Sequence, residues 1–155
     1  MDTTFPTECR GGPGCRISRV GEGPIPFFSL CEHYALLILG RAHVGYTAHQ
    51  DLIGLSKLTR IVKLHAHRFS VQERLGQRIV DFLESALRAH ALALFVDAVH
   101  LCTQMRGVRE LRSSTRTTFW RRACDRDAGL RLELLALCGT WDRPQLSPTP
   151  RRRAD

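Results

Sequence analysis

Lysine is almost missing from this 155-residue chain: 2 lysines stand against 21 arginines. The net charge of +8 is therefore weak grounds for a nucleic-acid surface, since GC-rich coding enriches arginine everywhere. The arginines are scattered, with clusters only at Arg121, Arg122 and Arg151 to Arg153. Aromatic residues are also scarce, at 7%, and none interleaves with these clusters to make a base-stacking platform, so nucleic acid is not an expected partner. No run approaches the roughly 20 apolar residues that cross a bilayer, and MDTTFPTECRGGPGC lacks the basic and apolar regions of a secretory signal. The expected location is the cytoplasm, with no membrane partner. There, 6 cysteines are not expected to form a disulfide framework, which leaves metal binding, catalysis or burial.

What is present fits one soluble domain, with 43% hydrophobic and 25% charged residues in a chain long enough to bury a core. Residues 1–23 hold five glycines and two prolines and read as a flexible leader. Residues 143–155, RPQLSPTPRRRAD, read as a disordered basic tail. The ordered domain is expected over residues 24–142. Leu36 to Tyr46 is aliphatic and interrupted by Gly40, as a strand or hairpin would be. Gly54 to His67 places Leu55, Leu58, Ile61, Val62 and His65 on one helical face, and Val71 to Ala89 does the same with Leu75, Ile79, Phe82, Leu83, Ala86 and Leu87. Leu92 to Cys102 and Arg112 to Phe119 read as strands. The pattern implies an α+β fold, with two helices packed on one face of an antiparallel sheet.

Two short spacings suggest chemistry. Cys31 and His33 are two apart, as are His100 and Cys102, and a strand projects such pairs to one side. Two thiolates with imidazole suit zinc, whose catalytic form needs three protein ligands and a water. The competing reading is buried cysteine and core histidine, while Cys9, Cys15, Cys124 and Cys138 are expected to have no chemical role. Ser56, Lys57 and Arg60 open the first helix, where free N–H groups favour anions, although a solvated helix start explains them equally well. Gln72 and Glu73 open the second helix, and Arg106 and Arg109 flank Gly107.

Five segments in order, IPFFSLCEH (25–33), GRAHVGY (40–46), IGLSKLTRIV (53–62), VQERL (71–75) and HLCTQMRGVR (100–109), resemble the GTP cyclohydrolase I family. The resemblance implies the tunnelling fold, with subunits assembled as a toroidal homo-oligomer, a decamer, and active sites at the interfaces. It also implies zinc-assisted opening of a heterocycle with loss of formate. By position, Cys31 and Cys102 are similar to zinc ligands, and His33 and His100 to the histidines that move protons. Glu73, with Gln72 beside it, resembles the buried anchor for the ring's NH edge, while Ser56, Lys57, Arg60 and Arg106 resemble residues meeting the triphosphate and ribose.

The chain departs from the family in two places. Tyr34 occupies the position of the third zinc ligand, a histidine in the family, and a neutral phenol is a poor ligand, so zinc binding is expected to be weakened. The family's helical N-terminal region, which adds basic residues to a neighbour's triphosphate site, has no match among the roughly 25 residues before the core. The expectation is a repurposed hydrolase that opens an indole-like or purine-like ring without a triphosphate, in specialised metabolism. The alternatives are an ordinary GTP cyclohydrolase I and a metal-free binding protein of the same fold.

Overall fold

The computed structural model describes residues 4–6, 19–48 and 51–138. In chain order these form β1 (Thr4–Pro6), β2 (Arg19–Cys31), β3 (Leu37–Thr47), β4 (Asp51–Ile53), α1 (Leu55–Ala66), β5 (Phe69–Ser70), α2 (Gln72–Ala86), β6 (Ala91–His100), α3 (Leu101–Gln104), β7 (Thr115–Arg122) and α4 (Ala128–Leu137). The tail at 143–155 and its Arg151 to Arg153 cluster lie outside the described residues, as does most of 1–23. Strand β2 begins at Arg19, five residues before the expected start of the domain.

The main sheet has the order β5-β2-β3-β6-β7, antiparallel except where the two residues of β5 run beside Leu30 and Cys31. Alternation along the strands builds one core: Ile38, Ala42, Val44 and Tyr46 of β3 and Leu92, Leu94, Val96 and Ala98 of β6 face α1 and α2. From the helices come Leu58, Ile61, Val62, Leu75, Ile79, Val80 and Leu83. Leu55, Phe82 and Ala86, expected on these buried faces, are exposed instead: Leu55 opens α1 and Ala86 ends α2, while Phe82 lies against the His65 ring, with centroids 5.5 Å apart. Helix α2 also ends at Ala86, short of the expected Ala89.

A second, smaller core lies on the opposite face of the sheet. Leu130 and Leu134 of α4 cover Ala91, Ala93 and Phe95, with Cys124 beneath them. Phe95 and Trp120 meet edge to face, with centroids 5.2 Å apart. Covered on both faces, β6 is buried from Ala91 to Val99, which explains why ALALFV is apolar without alternation. Asp127 caps α4 by accepting from the Leu130 N–H at 3.0 Å. Among the described residues no helix is long and apolar enough to cross a membrane.

Gly76 sets how closely α2 approaches β7. A Cβ there would stand 2.0 Å from Cε2 and 2.3 Å from Cζ of Phe119. In Gly76→Ala the helix-propensity gain is about 1 kcal/mol, whereas forcing a methyl against a packed ring costs about 1–3 kcal/mol. The clash should win, lowering the thermal midpoint at fixed protein concentration. A raised midpoint would mean that Phe119 moves aside freely.

Candidate functional site

Three chain segments meet at one end of the sheet. Strand β2 ends at Cys31, and the chain turns there: the Ala35 N–H donates to Cys31 O at 2.8 Å, with Ala35 in the left-handed region at φ 54°. Strand β5 pairs Ser70 with Cys31, which sets the first turn of α2 beside that turn. An ion pair between Arg74 and Glu32 ties them together. Ile38 pairs with His100, so the end of β6 and the start of α3 complete the cluster.

The two thiols come together, though not by the strand geometry expected from their spacing. His33 and Tyr34 sit on the turn after β2, and Cys102 lies in the short helix α3 rather than on β6. Burial raises the pKa of the Cys102 thiol, and Cys31 beside it adds charge repulsion and a hydrogen bond that raise it further. The Cys31 Sγ lies 3.9 Å from Nδ1 of His33.

Burial lowers the pKa of His100, opposed by the nearby carboxylate of Glu73, so its imidazole is favoured in the neutral form. Its Nε2 is 2.8 Å from Oε1 of Gln72, a side chain only 1% exposed. The amide nitrogen of Gln72 donates toward Val96 O at 3.3 Å, Thr115 O at 3.0 Å and Thr117 Oγ1 at 3.1 Å. Glu73, expected to be a buried anchor, is exposed in the single chain. Thr115 and Thr117 escaped the sequence reading, since their only signal was alternation along an edge strand.

Tyr34 is half exposed, with Arg106 stacked over its ring at 4.0 Å from the centroid. The stack tests the fit of zinc. Cys31 and Cys102 offer two thiols, Tyr34 carries a phenol ring faced by a cation, and among the described residues no group of three His, Cys, Asp or Glu converges on a metal position. The donor set of one chain does not fit a three-ligand catalytic zinc.

Ser56 and Lys57 are not brought to this cluster, and Arg60 lies midway along α1. The C-terminal end of α1 is the end near Cys31, since the Ser29 hydroxyl donates to Arg68 O at 3.0 Å and Phe69 pairs with Leu30. The start of α1 is at the far end of the sheet, where the Ile53 N–H donates to the Tyr46 hydroxyl and Tyr46 pairs with Val20. At 1.5 Å per residue, Ser56 and Lys57 lie about 15 Å up the helix from Ala66.

Comparison with known proteins adds a consistent picture. Residues 18–139 match the GTP cyclohydrolase I family. A GTP cyclohydrolase 1 of Gloeobacter violaceus is 47% identical over 94 residues, 61% of this chain and 44% of the relative. One from Methylococcus capsulatus is 40% identical over 115 residues, 74% of this chain and 62% of the relative. The chain thus spans about half of the length of the curated relatives it matches. A crystal structure of an archaeosine synthase QueF-Like in the apo form superposes with a TM-score of 0.53 at 10% identity, covering 69% of this chain and 94% of that one, a likeness of fold alone. With the family matched across nearly the whole described domain, and its cysteine and histidine segments meeting at one end of an α+β tunnelling fold, the chain belongs to the GTP cyclohydrolase I family.

Proposed function

We propose that this chain is a cyclohydrolase that opens a fused nitrogen heterocycle, indole-like or purine-like, by hydrolysing a ring carbon–nitrogen bond in a substrate without a triphosphate. The observation that carries the reading is the Tyr34–Arg106 stack. Arg106 stands where the resemblance expects a cation for the triphosphate and ribose side, and here it lies on an aromatic ring at the mouth of the cluster. Such a stack is worth about 0.5–1 kcal/mol at an exposed site, and a bound phosphate would have to compete with it.

The residues divide the reaction among them. Glu73 holds the NH edge of the ring, and a ring without those donors would leave its carboxylate unpaired. Water adds to the ring carbon beside the nitrogen, and a carbon–oxygen bond forms as the ring double bond at that carbon breaks. The electron pair of that double bond passes to its other atom, which takes a proton from solvent, and His100 takes the water's proton. The carbon–nitrogen bond then breaks with its electron pair on nitrogen, which takes a proton from His33; exchange with solvent resets both imidazoles. In a purine-like ring, whose reacting carbon lies between two nitrogens, a second water cleaves the remaining carbon–nitrogen bond and releases that carbon as formate. An indole-like ring, with carbon on the other side, stops at the ring-opened aldehyde. Cys31 and Cys102 would offer zinc two thiols only, so the residue roles here are assigned without it.

In the same reading the protein works in the cytoplasm as a homo-oligomer, a decamer, with active sites at its interfaces. That assembly would give Ser56, Lys57 and Arg60 a role at a neighbouring copy's site, which fits their distance from the cluster in one chain. An ordinary GTP cyclohydrolase I is the second reading, favoured by the names of the relatives at 40% and 47% identity.

Ring opening decides between these readings when the purified protein is offered GTP, guanosine and indole or purine compounds. The expected result is opening of a ring without a triphosphate, read as formate from a purine-like ring or as an aldehyde from an indole-like one, and no formate from GTP; steady production of a dihydropterin triphosphate from GTP would establish the second reading. With the ring that is opened, His100→Ala should lower kcat by roughly 10²–10⁴-fold, the usual contribution of a positioned acid or base. Tyr34→His should supply the missing donor, and zinc titration should then show affinity raised by on the order of 100-fold or more. An unchanged affinity would mean that the third position is not a metal position in this chain.

A further inference from the structure

We propose that Gln72 is a positioning residue that holds His100 in one tautomer, with the proton on Nε2, so that His100 exchanges protons with substrate or water through Nδ1 alone. The inference rests on the reading of His100 as a proton-moving residue. It also reassigns Gln72, which the resemblance sets beside Glu73 as part of the ring anchor.

Hydrogen-bond chemistry leaves little freedom here. Val96 O and Thr115 O are peptide carbonyls, which accept and never donate, and they lie 3.3 and 3.0 Å from one end of the Gln72 amide. Only the NH2 end satisfies them, and Thr117 Oγ1 at 3.1 Å accepts from the same group. Turning the amide over would press its oxygen against two carbonyl oxygens and lose both bonds, each carrying the penalty of an unpaired buried group. The Oε1 end therefore faces His100 Nε2 at 2.8 Å, and because an amide oxygen only accepts, Nε2 must carry hydrogen.

The acceptors come from the β6–β7 ladder, where Val96 pairs with Thr117 and Ala98 with Thr115. The tautomer of a residue at the end of β6 is thus held by a helix residue anchored in the neighbouring strand pair. With both ends of its amide engaged inside the protein and its side chain 1% exposed, Gln72 has no group left for a heterocycle, so ring recognition falls to Glu73.

The test uses the full-length protein labelled with ¹⁵N-histidine, in a long-range ¹H–¹⁵N correlation spectrum. His100→Phe identifies the His100 signals by their loss. In the wild type, the expected spectrum of neutral His100 shows a protonated Nε2 and a lone pair on Nδ1. Gln72→Met, similar in volume and without polar groups, should give a mixture of tautomers and lower kcat by at least about 10-fold with KM little changed, measured on the ring that the protein opens. A proton on Nδ1 in the wild type would overturn the proposal, even if Gln72→Met did not fold. An unchanged kcat in a folded Gln72→Met with mixed tautomers would also overturn it. The underlying reading fails separately, if His100→Ala retains full kcat while the wild-type spectrum is as expected.

Discussion

A polar side chain buried at the start of a helix is costly unless each of its groups is paired, and Gln72 meets that condition with four partners. One amide joins α2 to β6, to β7 and to His100. The first turn of α2 is consequently held against the sheet at the point where the thiols and His100 gather. Gly76, one turn further on, lets Phe119 pack against the same helix. The Arg74–Glu32 pair joins that helix to the turn bearing His33 and Tyr34. An exposed ion pair of this kind contributes little stability by itself; its effect here is to orient the turn.

The other constraint is the aromatic side chain of Tyr34. Tyr34, on the turn after β2, presents a ring that attracts cations through its face, and Arg106 occupies that face. In the proposed reading two features of the expected chemistry change together: the position expected to carry a metal donor holds a phenol, and a cation expected on the phosphate side is engaged by its ring. The thiols remain adjacent, with Cys102 held toward its neutral form by burial and by Cys31. The residues that would handle protons keep their places at the ends of β2 and β6.

Much of the site could be read from the order of its motifs, though the geometry first inferred for them was different. Spacing by two suggested strand pairs, yet His33 lies on a turn and Cys102 on a helical turn, because β2 and β6 both end at the site. Local chain reversal brings the same residues together as well as a strand would. The helix faces were recognised from their period, but Leu55 and Phe82 were misplaced, since a stripe defines a direction only to within the width of its neighbours. Helix α4 went unread because AGLRLELLAL has no strong one-sided pattern, and its role depends on a second core that the sheet alone creates.

By itself, the sequence determined the family, through five motifs in order, and the α+β composition, through strand and helix periods carried in the residues themselves. It also determined that residue 34, where the resemblance expects a metal ligand, is a tyrosine, since identity at one position needs no structure. Only the tertiary structure decided that Gln72 faces inward on His100, that Glu73 is exposed in one chain, and that Ser56 and Lys57 stand at the far end of α1 with Arg60 midway along it. The physical reason is that hydrogen-bond direction and distance along a helix are relations between elements. A local pattern specifies which residues are present, but only packing specifies which atoms meet.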